Sequence, residues 1–411
     1  MGLPDQVSGD ALADRRSSII TTPTPKGGIM ERETDLSRRS FLKLGAAAGA
    51  TAAAAAVAFP RFSLANVKTV SLSQCTRMTP EAMAENSRMV MDSLAYLKNV
   101  VATISDPEIR GGVEGIMRNP APTLMADLMD EQNRKAVYTE LQSRGLVAED
   151  LAFADFLPPT ENPYRSPHPF IAGPGSGYGS HHAYPGGLIT HTAVNTMVSL
   201  SLFDHYREVY GFRLDRDVVI ASQVLHDLHK PWVFQWHPKT GESRTERKLA
   251  GTGEHHSYGV AESIVRGLPA EVCVAQACAH NHPGWAKDEE GPVNWIKAAC
   301  TLIGKDPVAA GLLGPDSKTL PLPRRMENFV CHLGDHDWIL SVPAAKWTIP
   351  LMADIAKNRY GMSEADLMTR RFNALRNYVF SQASIMGLYE IYATRGKDAL
   401  AHTVLSMVTP A

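Results

Sequence analysis

Cysteine is scarce in this chain: five in 411 residues, an odd number, scattered at Cys75, Cys273, Cys278, Cys300 and Cys331. That usage argues against a disulfide framework or a cysteine zinc site with two paired knuckles, and fits small buried hydrophobes instead. Period-two alternation of apolar and polar residues is missing from end to end, so sandwiches and barrels are set aside and an all-α fold is expected. Charge of one sign is missing too: 41 Lys and Arg face 43 Asp and Glu, for a net charge of −2. Such a balance gives no broad electrostatic grip on nucleic acid, and no stable nucleic-acid binding is expected. The longest apolar run, Leu44 to Phe59, is about 16 residues and diluted by alanine, short of the ~20 that a membrane-crossing helix needs. Histidine is absent from the first 167 residues, and all but one of the fifteen (the exception is His402) lie between His168 and His336.

What is present begins with an ordinary globular composition, 44% hydrophobic and 20% charged, enough for one large or two ordinary domains with a well-buried core. Near the amino terminus, Ser37-Arg38-Arg39-Ser40-Phe41-Leu42-Lys43 precedes the Ala-rich run, and Ser63-Leu64-Ala65 follows it with small residues suited to a signal peptidase. This arrangement resembles a twin-arginine (Tat) export signal. The resemblance implies a Tat translocase as transient partner, passage of the folded and metal-loaded protein, and a periplasmic location, membrane-anchored if the signal stays uncleaved. Residues 1–29 are polar and unpatterned, so either Met1 or Met30 can be the start.

Four segments follow from the pattern: 1–65 as leader and signal, 66–160 as an N-terminal helical region, 161–345 as a metal-binding domain, and 346–411 as a C-terminal helical extension. In the second, Thr79 can cap a helix with Pro80 in its first position, and Val90, Leu94, Leu97, Val101 and Ile104 continue one apolar face until Asp106-Pro107. Further helices are expected from near Thr123 and through Ala136 to Gly145. From Phe156 to Gly187 the chain turns to Pro, Gly, Ser, His and Tyr, and a loop of that length directly before His191 reads as functional. Gly175 and Gly177 lack the preceding strand of a phosphate-cradling turn. Helical patterns then cover Leu188–Tyr206, Asp217–Leu228, His255–Arg266, Ala270–His280 and Glu327–Leu340.

Within these helices the histidines keep company with carboxylates. His226 and Asp227 are adjacent at a helix end, where both can face one cavity and the aspartate can bridge two ions. His191 lies 35 residues upstream and His255 28 residues downstream of that pair, or 29 counted from His226, then come His280, His282 and Asp335. Neutral imidazole with ionised carboxylate suits borderline divalent metals such as iron, manganese, zinc, cobalt or nickel.

From Ser180 to Leu340 the sequence resembles the HD-domain metal-dependent phosphohydrolases. The resemblance rests on His181-His182-Ala183-Tyr184-Pro185-Gly186-Gly187-Leu188 leading into His191, on Val224-Leu225-His226-Asp227 with Lys230, on His255 with Ser257 and Gly259, on His280-Asn281-His282-Pro283-Gly284, and on Glu327 eight residues before Asp335. It implies a helical HD core holding one ion through His191, His226, Asp227 and Asp335, or two with His255, His280 and His282. Asp227 and Lys230 would then be catalytic, with Asp227 orienting the nucleophile and Lys230 neutralising a phosphate oxygen. His181, His182 and His229 are candidate substrate contacts. The implied activity is hydrolysis of a small, nucleotide-like phosphate ester. His229 stands where the family commonly has glycine. His256 competes with His255, and Asp306 and Asp337 compete with Asp335. His205, His237, His332 and His336 read as structural, Glu246, Glu254 and Asp288 as solvated, and Trp232, Trp236 and Trp285 as core or pocket wall. Two other classes remain: an HD-fold diiron oxygenase and a non-catalytic sensor or binding protein.

Overall fold

The computed structural model of the protein describes residues 63–64 and 67–410, so the twin-arginine stretch and the Ala-rich run lie outside the described residues. The described chain is all-α apart from four two-residue strands. In order, β1 (Val70–Ser71), α1 (Leu72–Arg77), α2 (Pro80–Glu85), α3 (Arg88–Val101), α4 (Pro107–Arg118) and α5 (Glu131–Ser143) lead through a long irregular stretch to α6 (Gly187–Tyr210). Then come α7 (Arg216–Leu225), α8 (Lys230–Val233), the β2 (Lys248–Leu249) and β3 (Thr252–Gly253) hairpin, α9 (Glu254–Val265), α10 (Ala270–Ala277) and α11 (Ala286–Leu302). The chain closes with α12 (Glu327–Gly334), α13 (Trp338–Tyr360), α14 (Arg370–Met407) and β4 (Val408–Thr409), which pairs in parallel with β1.

Local chemistry sets many of these ends. Thr79 caps α2 as its spacing predicts, but Ser87 accepts from the Val90 amide and starts a second helix, so the single helix expected from Thr79 to Ile104 is two. Asp106 does not only terminate: its carboxylate accepts from the Glu108 and Ile109 amides, and Pro107 opens α4, a helix the sequence reading passed over. Thr123 begins only a single 3-10 turn. The expected helix from Glu327 to Leu340 is broken at Asp335, after which α13 begins at Trp338 and crosses the boundary placed at residue 345.

Two large apolar clusters and a small one around Phe203, Val219 and Val330 hold the described residues. The larger gathers Leu97, Val101 and Ile116 from α3 and α4 against Leu188, Val224, Leu225, Val260 and Ile296 from α6, α7, α9 and α11. Full burial of each such side chain contributes roughly 1.5–3 kcal/mol. The second cluster joins α1, α13 and α14 through Leu72, Met352, Leu375 and Leu388. Residues 67–160 pack onto the histidine-bearing helices chiefly through α3 against α6, and residues 346–410 pack chiefly against α1, α2 and α3, all within one unit. All five cysteines are buried free thiols. Among the described residues, no helix is long and apolar enough to cross a membrane.

Candidate metal centre

The helices converge their polar positions on one buried point. His191 and Asn195 are four residues apart on α6 and therefore share a face, and Asn195 Nδ2 donates to Asp335 Oδ1 at 2.6 Å. His226 and Asp227 follow the last residue of α7, and Asp335 follows the last residue of α12. The eight-residue step from Glu327 to Asp335 is the length of α12: Glu327 at its start accepts from the Asp215 amide at 2.6 Å, and Asp335 at its end enters the cluster.

Around Asp227 Oδ2 the donors form a compact set. His191 Nε2 is 3.1 Å away and His226 Nε2 3.2 Å, the two imidazole nitrogens are 3.2 Å from each other, and Asp335 Oδ1 lies 3.2 and 3.4 Å from them. Donors bonded at ~2.1 Å to one cation are separated by about 3.0 Å in octahedral and about 3.4 Å in tetrahedral coordination. These five separations match those between neighbouring ligands of one cation, and His191, His226 and Asp227 group closely enough to hold an ion. The other oxygen of the same carboxylate faces a different pair: Asp227 Oδ1 is 3.3 Å from His255 Nε2 and 3.5 Å from His280 Nε2, and His280 Nε2 is 3.3 Å from Asp335 Oδ2. Asp227 Oδ1 and His255 Nε2 are buried without a hydrogen-bond partner. Unsatisfied polar atoms of that kind cost ~1–3 kcal/mol each unless something else satisfies them, and a cation would. His255, His256 and His280 also group closely enough to hold an ion, and the His256 ring stacks on His280 with centroids 3.5 Å apart.

The second layer fixes ring orientation. His226 Nδ1 donates to the Gln223 carbonyl at 2.7 Å, and His255 Nδ1 to Glu246 Oε2 at 2.5 Å, which leaves both Nε2 lone pairs for the site. Asp337 lies one step out, 2.8 Å from His182 Nε2 and 3.3 Å from His191 Nδ1. Burial disfavours charge throughout, and at three groups the opposite charges prevail: Asp227 and Asp335 are held well below the usual carboxylate range by His226 and its neighbours, and His226 is raised to about 9 by Asp227 and Asp335; at His280 burial prevails and lowers the pKa. Without a cation, protons on His191, His226 and His255, whose pKa values are raised, offset the carboxylates.

Over part of its length, the chain is similar to a phosphodiesterase. It is 36% identical over 108 residues to the dihydroneopterin 2',3'-cyclic phosphate phosphodiesterase of Methanocaldococcus jannaschii, a match covering 24% of this chain and 39% of that protein. No family model and no solved structure matches the chain.

A cavity of about 480 Å³ opens onto the cluster and is lined by Ser176, Tyr178, His181, Phe234, Glu246 and Trp338 among others. Lys230 also reaches it, but its Nζ is engaged, 2.5 Å from Asp227 Oδ2 and donating to the Gly175 carbonyl at 2.5 Å. His181 lines the cavity, and burial beside His182 and Lys230 pulls its pKa down to about 3. His182 sits at φ 51°, its carbonyl held by the Gly175 amide at 2.8 Å, and a Cβ at residue 187 would fall 1.9 Å from that carbonyl oxygen, so glycine is required there.

Two candidates are placed elsewhere. His282 turns away from the cluster: its Nδ1 accepts from the Gly284 amide, its Nε2 is 3.7 Å from Asp288, and its ring stacks on Phe329. Residues 280–284 are irregular, so a two-residue step does not return the ring to the same side. His229 is fully buried with Nε2 3.4 Å from Glu262, away from the cavity. Asp306 caps a turn through the Val308 and Ala309 amides. Trp232 and Trp236 are core, whereas Trp285 is 75% exposed. Glu246, read as solvated from the sequence, orients His255, and Glu254 is buried against Arg244 at 2.5 Å. No periodicity surrounds Glu246 to reveal it, while Asn195 carried a usable signal in its four-residue offset from His191.

Proposed function

We propose that this protein is a metal-dependent phosphohydrolase of the HD-domain kind, acting on a small phosphate ester, with a phosphodiester of a nucleotide-like or pterin-like alcohol as the favoured substrate. The observation that carries the reading is the division of Asp227: Oδ2 faces His191 and His226, which Asp335 also approaches, and Oδ1 faces His255 and His280, with His191, His255, His280 and Asp335 lining one cavity. The phosphodiesterase similarity supports the class of reaction. In this reading the first set holds one divalent ion and the second set another, drawn from iron, manganese, zinc, cobalt or nickel. Divalent ions held there would supply Lewis-acid charge for a phosphoryl oxygen and acidity for a water molecule. Glu246 and the Gln223 carbonyl keep the ligand tautomers fixed. Lys230, pinned between Asp227 and Gly175, lends positive charge to the cavity wall and ties the glycine-rich loop to the cluster. His181, kept neutral at physiological pH, is available to donate a hydrogen bond to a phosphoryl or leaving-group oxygen. The Tat-like sequence of the amino terminus supports a periplasmic location in this reading.

The test loads purified protein with each candidate metal and assays phosphomonoesters, linear phosphodiesters and 2',3'-cyclic phosphates, beside Asp227→Ala. Metal-dependent turnover by the wild type, at least ~10³-fold above the variant, is expected, a loss typical of removing a group that organises transition-state charge. Equal turnover by the two proteins sinks the proposal.

A further inference from the structure

The guanidinium of Arg376, on α14, is fully buried, and among the described residues no carboxylate lies within ion-pair distance of it. Glu242 acts on Arg376 only from beyond ion-pair distance, and a buried cation with no carboxylate in direct contact is costly unless other groups take its place. Here they come from the loop that lines the cavity. Arg376 Nη1 donates to the Ala183 carbonyl at 2.9 Å, Nη2 donates to the Tyr178 carbonyl at 2.5 Å, and the guanidinium carbon lies 4.4 Å from the Tyr178 ring centroid and 5.0 Å from that of Phe380. These are charge-assisted and cation–π contacts in a water-poor setting, where both kinds are strongest. The segment they span, Tyr178 to Ala183, contains His181 on the cavity wall and the strained backbone of His182.

The same face of α14 grips a second wall. Asn373 Nδ2 donates to the Thr240 carbonyl at 3.0 Å and Asn377 Nδ2 to the Gly241 carbonyl at 2.8 Å, while Tyr178 Oη donates to Asn373 Oδ1. Asn377 Oδ1 also accepts from Arg376 Nη1 at 2.9 Å. The turn at residues 240–241 leads into Thr245 and Glu246, which also line the cavity. Positions 373, 376 and 377 fall on one helical stripe in the stretch of α14 before its kink at Ser384, so one helical segment ties two stretches that line the site.

We propose that Arg376 is a positioning residue for substrate binding: by holding the Tyr178–Ala183 loop it places His181 over the metal cluster, which makes the C-terminal helix a working part of the site. This inference rests on the hydrolase reading for its kinetic consequence, but its structural consequence is read separately. The experiment compares metal-loaded wild type, Arg376→Ala and Arg376→Met by hydrogen–deuterium exchange and by steady-state kinetics on bis(p-nitrophenyl) phosphate, with and without millimolar guanidinium ion. In both variants faster exchange confined to residues 176–183 is expected, with α6 and α7 as protected as before and the metal count unchanged. KM is expected to rise about tenfold or more with a smaller change in kcat, the signature of misplaced binding groups. Guanidinium should restore loop protection and KM in Arg376→Ala, whose cavity admits it, and not in Arg376→Met, whose side chain fills the space. Unchanged loop exchange overturns the proposal, as does a uniform loss of protection that guanidinium does not repair. If Arg376→Ala does not fold, Tyr178→Leu removes the ring face and the Asn373 tie and is judged by the same two readouts. Absence of turnover on every substrate, with loop protection still dependent on Arg376, would remove the hydrolase reading and leave the clamp standing.

Discussion

Replacing Glu246 is expected to weaken one half of the candidate metal centre and spare the other. Its carboxylate touches the site through one atom pair, Oε2 to His255 Nδ1 at 2.5 Å, and His255 in turn faces only the Oδ1 side of Asp227. The His191 and His226 side has its own supports, Asp337 at 3.3 Å and the Gln223 carbonyl at 2.7 Å. Loss of such an orienting partner lowers metal affinity by about 10- to 100-fold, or about 1.4–2.7 kcal/mol. Glu246→Gln keeps an acceptor for the ring N–H and loses only the charge, so the lower figure applies; Glu246→Ala loses both, so the higher one does. Gly253→Ala supplies an independent route to the same state, because an added Cβ would sit 2.4 Å from Glu246 Oε2 and push the carboxylate aside. Chelator-competition titration of the metal-free protein reads the two affinities in one experiment. One unchanged affinity and one weakened affinity are expected in all three variants. Equal weakening of both, or of neither, refutes the assignment of Glu246 to a separate second position.

Three other outcomes follow from the same geometry. Asp227→Ala strips the counter-charge from Lys230, which is only 5% exposed, and should cost the metal-free protein about 3 kcal/mol or more in urea unfolding with chelator present; a change below about 1 kcal/mol would contradict the buried pairing. In the metal-free protein His226 titrates at about 9 against about 6.5 when unfolded, so its protonated ring contributes stability fully below about 6.5 and loses it as pH rises through about 9. A cation needs the neutral ring, so calorimetry in buffers of different ionisation heat should show proton release on metal binding at neutral pH that fades toward pH 9, with affinity rising over the same window; pH-independent binding would refute this. Gly187→Ala should destabilise by about 1–3 kcal/mol or prevent folding, because its Cβ would lie 1.9 Å from the His182 carbonyl oxygen; wild-type stability would show the loop conformation to be different.

Much of this arrangement was legible because chemistry and periodicity coincide in it. His191, His226, Asp227, His255 and Asp335 each sit on a helix or within two residues of a helix end, where a rigid element fixes side-chain direction and an ordered series of imidazoles and carboxylates can be read as convergent; His280 lies three residues past the end of α10. The errors lie where no regular element intervenes. His282 is two residues beyond His280 on an irregular turn, and nothing in the sequence tells which way that turn points. His229 follows Asp227 by two residues in another such turn and faces Glu262. Glu246 enters from the irregular stretch ahead of the β2–β3 hairpin, and Arg376 from a helix nearly two hundred residues away from the loop it holds. Helix ends misled for a different reason. Asp106-Pro107 is both a stop and a start, and only the following backbone amides decide between them.

The central claim is that Asp227 joins two cation positions, and elemental analysis of the purified protein beside Asp227→Ala tests it most directly. Two divalent ions per wild-type chain and fewer than one per variant chain are predicted. A wild type that takes up no metal, or a variant that binds as much as the wild type, would contradict it.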